Sequence, residues 1–155
     1  MTEVDYLLYT DGSGYTDKIG GWCFYLKDLE PIDKKNDVFD AMGGTTFTSV
    51  YRMEFTALLE GLRQIQFLNE AKGLKDATVE WFSDNSSLVD VIAKEGHSKS
   101  KDIKDLWKLY KYYVTQGIEV KGNYISRDNV NIYHNLADLH ASTVRVILKE
   151  YKESQ

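Results

Sequence analysis

Residues 4–11, VDYLLYTD, are apolar, β-branched or aromatic at nearly every position, which predicts a strand covered on both faces at the centre of a sheet. DGSGYTDKIGG then supplies turn residues and IGGWCFYLKD resumes a strand pattern, so these segments form a hairpin. After the polar break PIDKKND, the run DVFDAMGGTTFTS predicts a third antiparallel strand, whose glycine pair suggests a bulge. From Ser49 the period lengthens. Glu54, Leu58, Gly61, Ile65 and Leu68 fall on one helical stripe, with Phe55, Leu59 and Leu62 beside it, and the helix should run to about Asn69 with Gly73 as its stop. ATVEWFSD repeats the pattern of the first strand, aspartate included. A strand reached through a helical crossover is usually parallel to its partner. SSLVDVIAKEG and KDIKDLWKLYKYYVTQG predict two more helices, IEVKGNYIS a strand, and HNLADLHASTVRVILKEY a closing helix from about Asn135. No repeat or linker interrupts this β-β-β-α-β-α-α-β-α order. The expected architecture is one α/β domain over residues 1–155: a mixed five-stranded sheet, three antiparallel strands followed by parallel ones, flanked by helices.

Composition is consistent with this picture. The chain has 155 residues, 43% of them hydrophobic, enough for one continuous core. It contains no apolar run long enough to span a membrane, and Glu3 and Asp5 stand where an export signal would carry basic residues. Cytoplasm is the expected compartment, and a monomer the expected state. The single cysteine, Cys23, sits in the apolar run WCFYL and reads as a buried small hydrophobe. Trp22, Phe24, Trp81, Phe82, Trp107, Tyr110 and Tyr113 likewise read as core packing.

Charge complicates the question of partners. A net charge of −5 counts against a ligand held chiefly through a phosphate backbone. One stretch is nevertheless basic: Lys94, Lys99, Lys101, Lys104, Lys108 and Lys111 face only Glu95, Asp102 and Asp105. These lysines read equally as a solvated helix face.

Candidate chemistry lies in four acids. Two apolar strands end in aspartate, Asp11 in TDGS and Asp84 in SDNS, and parallel pairing would bring them together at the edge where open α/β sheets bind ligands. Alone, each also reads as a turn opener or helix cap. Glu54 shares the stripe expected to face the sheet. Gly61 on that stripe costs the helix ~1 kcal/mol relative to alanine, which close packing would explain. Asp138 lies near the start of the last helix, where a favourable dipole interaction is the alternative. Two carboxylates ~5 Å apart repel by roughly 3 kcal/mol at an effective dielectric of ~20, so such a cluster must be protonated, spread apart or hold cations. Hard oxygen donors without thiolates favour Mg²⁺ or Mn²⁺.

The series TDGS, YRMEFTALLEGL, SDNS and an alanine-aspartate pair in the last helix resembles, in order and spacing, ribonuclease H of the bacterial and retroviral type, across essentially the whole chain. The resemblance implies that Asp11, Glu54, Asp84 and Asp138 are catalytic acids binding two Mg²⁺ or Mn²⁺ ions. It implies hydrolysis of the RNA strand of RNA–DNA hybrids to 5′-phosphate and 3′-hydroxyl products. It also points to Gly12, Ser13 and Glu54 as readers of the 2′-hydroxyl, the group that tells RNA from DNA, and to Asn85 as a further substrate contact. Tyr51 and Val50 stand where the family often carries asparagines, and Tyr51 is the candidate contact there. The segment GHSKSKDIKDLWK is too short for the basic protrusion of bacterial enzymes, so its lysines or a helper protein would strengthen substrate binding. The family's mobile-loop histidine, ten residues before the last aspartate, is replaced by Asp128; His134 is the first candidate for its role, and a helix-start or surface role is the alternative reading. ISRDNVNIYHNLAD is similar to a related branch with an arginine and an acidic residue before the final helix. Two other readings stay open: a non-catalytic nucleic-acid or protein-binding module on the same fold, and a related DNA-directed nuclease.

Overall fold

The computed structural model describes residues 3–94 and 103–155. Lys99, Lys101, Glu95 and Asp102 lie outside them, so part of the basic stretch stays a matter of sequence. Nine elements occur in the order β1 (Tyr6–Gly14), β2 (Gly20–Asp28), β3 (Val38–Thr45), α1 (Val50–Lys72), β4 (Ala77–Ser83), α2 (Ser86–Ala93), α3 (Lys104–Thr115), β5 (Ile118–Tyr124) and α4 (Ile132–Glu153). The sheet order is β3-β2-β1-β4-β5. β2 is antiparallel to both β1 and β3, whereas β4 is parallel to β1 and β5. The mixed five-stranded sheet expected from the hydrophobic pattern is therefore present. No helix among the described residues is long and apolar enough to cross a membrane.

Two boundaries and one expected bulge differ from the sequence expectation, each for a physical reason. β1 does not end at Asp11: DGSG, composed of turn formers, is held extended by pairing of Asp11–Gly14 with Cys23–Gly20. The hairpin connection is only residues 15–19. α4 begins three residues early, at Ile132, because Asn131 accepts a hydrogen bond from the His134 amide at 3.0 Å and caps the helix. The glycine pair in β3 makes no bulge, since register with β2 is continuous from Lys27↔Val38 to Gly20↔Thr45. These glycines make space instead. A Cβ at Gly43 would lie 2.7 Å from the Trp22 ring, and one at Gly44 2.4 Å from the Gly20 carbonyl.

The helices pack on both faces. α1 covers one face of the sheet centre, with Phe55, Leu58, Leu62 and Ile65 fully buried against Leu8, Leu26, Val79 and Trp81, and α2 and α3 extend this core through Leu88, Tyr110 and Tyr113. Gly61 serves the close packing expected of it, since a Cβ there would come within 2.5 Å of Leu8 Cδ1. α1 is capped at both ends: Ser49 Oγ accepts from the Arg52 amide, and Gly73 takes the left-handed conformation (φ 70°) after Lys72. α4 packs on the other face, where Ala137 and Ala141 bury Cys23 beside Tyr25. Burial pushes the Cys23 thiol up to about 12, helped by the charges of Asp40 and Asp11, in keeping with an inert core residue. Trp22 and Trp107 are partly buried against the larger core. Phe82 stacks on Tyr9 with centroids 4.9 Å apart.

At the β1 end away from Asp11, Tyr6 pairs with Asp28. Lys72 Nζ donates to Asp28 Oδ1 at 2.7 Å and to the Tyr6 hydroxyl at 3.2 Å, and that hydroxyl donates to Asn69 Oδ1. Burial pushes Lys72 down, but the hydrogen bonds to Asp28 and Tyr6 outweigh it and its pKa is raised.

Candidate metal centre

The β1–β4 ladder ends at Tyr9↔Phe82, and two residues beyond it on either side stand Asp11 and Asp84. Equal offset from the last parallel pair sets the two aspartates side by side. β1 continues on β2 alone, so the sheet opens at this point. Glu54 arrives from the opposite layer because Gly12 has no side chain: a Cβ there would lie 2.4 Å from the Glu54 amide nitrogen and 2.7 Å from the Met53 carbonyl carbon. Glu54 is 3% exposed and stands at the fifth position of α1, beyond the first turn, which holds no acid. A favourable dipole at the helix start does not account for it. Asp138 lines the same cleft from α4, and its carboxyl helps raise the Asp11 pKa.

A cleft of about 330 Å³ runs over this group, lined by Asp11, Gly12, Ser13, Asp84, Asp138 and His134 together with Gly14, Tyr15, Val50, Arg127, Asn135 and Ser142. One ligand atom each from Asp11, Asp84 and His134 lies within 4.8 Å of the others. Among the described lining residues Arg127 is the only arginine or lysine. Its Nε is 3.4 Å from Asp84 Oδ2, but its side chain is 84% exposed and solvent screens it.

The electrostatics follow from that imbalance. Burial raises the Asp11 pKa above the usual carboxylate range, and Glu54, Asp138 and Asp84 raise it further. Burial likewise raises Glu54, as does the charge of Asp84, while the Asp11 carboxyl, the Gly12 amide and Arg127 oppose the rise. Glu54 Oε2, Asp84 Oδ1 and His134 Nε2 are buried without a hydrogen-bond partner. Polar atoms orphaned in this way are costly unless something outside the chain satisfies them. The buried carboxylate oxygens form a hard donor set that fits Mg²⁺ or Mn²⁺.

The other expected site residues divide. Gly12 and Ser13 line the cleft, whereas Tyr51 does not: its ring packs against the α1 core, and Val50 takes its place on the rim. Asn85 is also outside the lining, and its Oδ1 caps α2 by accepting from the Leu88 amide at 3.0 Å. His134, a candidate for the loop histidine with a helix-start or surface role as the alternative, lies in the first turn of α4. One helical turn separates it from Asp138, so the two share a face. Arg127, Asn135 and Ser142 were not assigned from sequence. Only the arginine in ISRDNV carried a signal, as a cation in the loop before the last acidic helix. In the basic stretch, Lys104, Lys108 and Lys111 are exposed on α3, with Lys111 Nζ 5.6 Å from the Trp107 ring centroid.

The fold has counterparts among solved structures. The N-terminal RNase H domain of a Mycobacterium tuberculosis protein, solved as a fusion with maltose-binding protein, superposes with a TM-score of 0.74 at 14% identity, covering 97% of this chain and 99% of that one. LC11-RNase H1 in complex with an RNA/DNA hybrid gives 0.74 at 16% identity, over 92% and 98%. RNase H1 from the halophilic archaeon Halobacterium salinarum gives 0.64 at 15% identity, over 90% and 96%. No protein-family model and no curated protein sequence matches the chain. The fold is that of type 1 ribonuclease H.

Proposed function

We propose that the protein is a divalent-metal-dependent endoribonuclease, acting as a single domain on the RNA strand of RNA–DNA hybrids. The observation that carries this reading is the set of buried, unpartnered carboxylate oxygens on Glu54 and Asp84, at a cleft where Asp11, Asp84 and Asp138 meet one screened cation. The hybrid bound by one structural neighbour supports the choice of substrate. Asp11, Glu54, Asp84 and Asp138 would hold two Mg²⁺ or Mn²⁺ ions. When bound, such ions supply an activated water and stabilise the leaving 3′ oxygen.

The chain's own residues do the rest. Gly12 and Ser13 present backbone groups at the cleft floor, suited to reading a 2′-hydroxyl at close approach. Arg127, exposed at the rim, meets the phosphate backbone and offsets part of the repulsion an acidic surface imposes on it. The protein is incubated with a hybrid labelled on the RNA strand, with Mg²⁺ or Mn²⁺, beside duplex RNA and branched DNA. Cleavage confined to the hybrid and abolished in Asp11→Asn is the expected result. Preferential cleavage of branched DNA, or no metal-dependent cleavage at all, overturns it.

A further inference from the structure

Proximity alone makes His134 a third ligand beside Asp11 and Asp84. The surrounding hydrogen bonds argue otherwise. The Asn131 amide donates to Asn129 Oδ1 at 2.8 Å, so the carbonyl end of the Asn129 side chain is committed to that partner. Its NH₂ end donates to the Ser126 carbonyl and faces His134 Nδ1 at 3.1 Å. An amide NH₂ donates and has no acceptor capacity, so the ring nitrogen opposite it must be the one with the lone pair. The neutral imidazole then carries its proton on Nε2. That atom is buried, has no partner, and points at Asp84 Oδ2 across 3.8 Å. A metal-bound histidine shows the reverse arrangement: the ligating nitrogen keeps its lone pair, and the other donates its N–H to a carboxylate, carbonyl or water.

We infer that Asn129 is a positioning residue that locks His134 as an Nε2–H donor into the acid cluster and keeps it out of metal coordination. The metal site is thereby left to oxygen ligands, although an imidazole lies close enough to draw softer ions. The tautomer does not depend on the proposed activity. The use of that N–H, donated to a phosphate oxygen of the hybrid, does rest on it.

Long-range ¹H–¹⁵N correlation of His134 in the wild-type protein reads the tautomer directly, in mildly alkaline solution where free imidazole is neutral. The expected spectrum has a protonated Nε2 and an unprotonated Nδ1, and Nε2 keeps its proton when Mg²⁺ or Zn²⁺ is added. A protonated Nδ1, or an Nε2 resonance that moves to a metal-bound position with Zn²⁺, overturns the inference. In Asn129→Asp the new carboxylate accepts from Nδ1–H and frees Nε2. Zn²⁺ should then bind about 10-fold more tightly than to wild type, and the gain should vanish when His134→Ala is added. An unchanged Zn²⁺ affinity in a folded Asn129→Asp protein whose tautomer has reversed also counts against it. If Asn129→Asp does not fold, the wild-type spectrum decides. Failure of wild-type protein to cleave a hybrid while the Nε2–H signature stands removes the proposed function and leaves the tautomer lock intact.

Discussion

Strand β1 passes buried charge at two places, at Tyr6 and at Asp11, and the two are built on opposite plans. Beside Tyr6, Asp28 is 2% exposed and is met at 2.7 Å by the ammonium of Lys72, with Tyr6 and Asn69 completing the network. Five residues on, roughly 17 Å along the strand, Asp11 is equally buried but meets Glu54, Asp84 and Asp138. The first arrangement closes on itself; the second leaves carboxylate oxygens without partners. A buried acid is thus not in itself a functional signal. What distinguishes the Asp11 region is a cluster of acids that, among the described residues lining its cleft, meets a single exposed arginine.

The sharpest way to break this comparison is to neutralise one acid at each end. Asp11→Asn should reduce hybrid cleavage by more than about 100-fold, a loss that even an outer-shell change at a metal site reaches. It should at the same time raise the melting temperature of the metal-free protein, because it removes repulsion. Lys72→Met should do the opposite. It leaves Asp28 buried without its cation and should cost about 3–5 kcal/mol of stability in chemical denaturation, with the metal-dependent rise in melting temperature retained. If both substitutions stabilise, or both destabilise, the contrast fails.

A titration sharpens it further. The folded-state pKa values of Asp11 and Glu54 are raised above those of the unfolded chain. Their protonated forms therefore favour the folded state, and this contribution is complete below about pH 4 and lost progressively as pH climbs to about 8 for Glu54 and about 11 for Asp11. In chelator, the stability of wild type relative to Asp11→Asn should fall over that range. Mg²⁺ should reverse the trend, since binding requires the ionised carboxylates, and at ten times its dissociation constant it adds about 1.4 kcal/mol. Thermal melts at several pH values with and without Mg²⁺ check both signs. The smallest effect belongs to Asn85→Ala, which removes the α2 cap and should cost about 1 kcal/mol. Hybrid cleavage should change far less than in Asp11→Asn. A loss of cleavage on the scale of Asp11→Asn would restore Asn85 to the substrate contacts.

Strand and helix identities were legible because the core of this fold is built on clean periods. The stripe from Glu54 to Leu68 packs where its spacing says, and Gly61 marks the close approach. The departures arise where a distant partner overrides a local preference. DGSG has turn chemistry, and only pairing with β2 keeps it extended. Nothing in DNVN singles out Asn131 as the residue that caps α4, so the sequence leaves His134 between a loop and the helix start. Tyr51 showed the same limit: a helix position adjacent to a site acid does not tell which way the ring turns, and here it turns into the core. The acids themselves could be listed from sequence because each lies on, or just after, an element with a clear period: Asp11 in β1, Glu54 in α1, Asp84 after β4 and Asp138 in α4. Their convergence depends on Gly12, whose role is visible only once α1 lies against it.

For anyone who would retarget this cleft by directed evolution, Gly12 divides it into two populations of positions. Residue 12 is closed to variation, since even a methyl group would drive the Glu54 backbone from the strand and undo geometry and packing together. Tyr15, Arg127, Asn135 and Ser142 line the same cleft without bearing that wedge. A library confined to those side chains explores new ligands at little cost in folded yield.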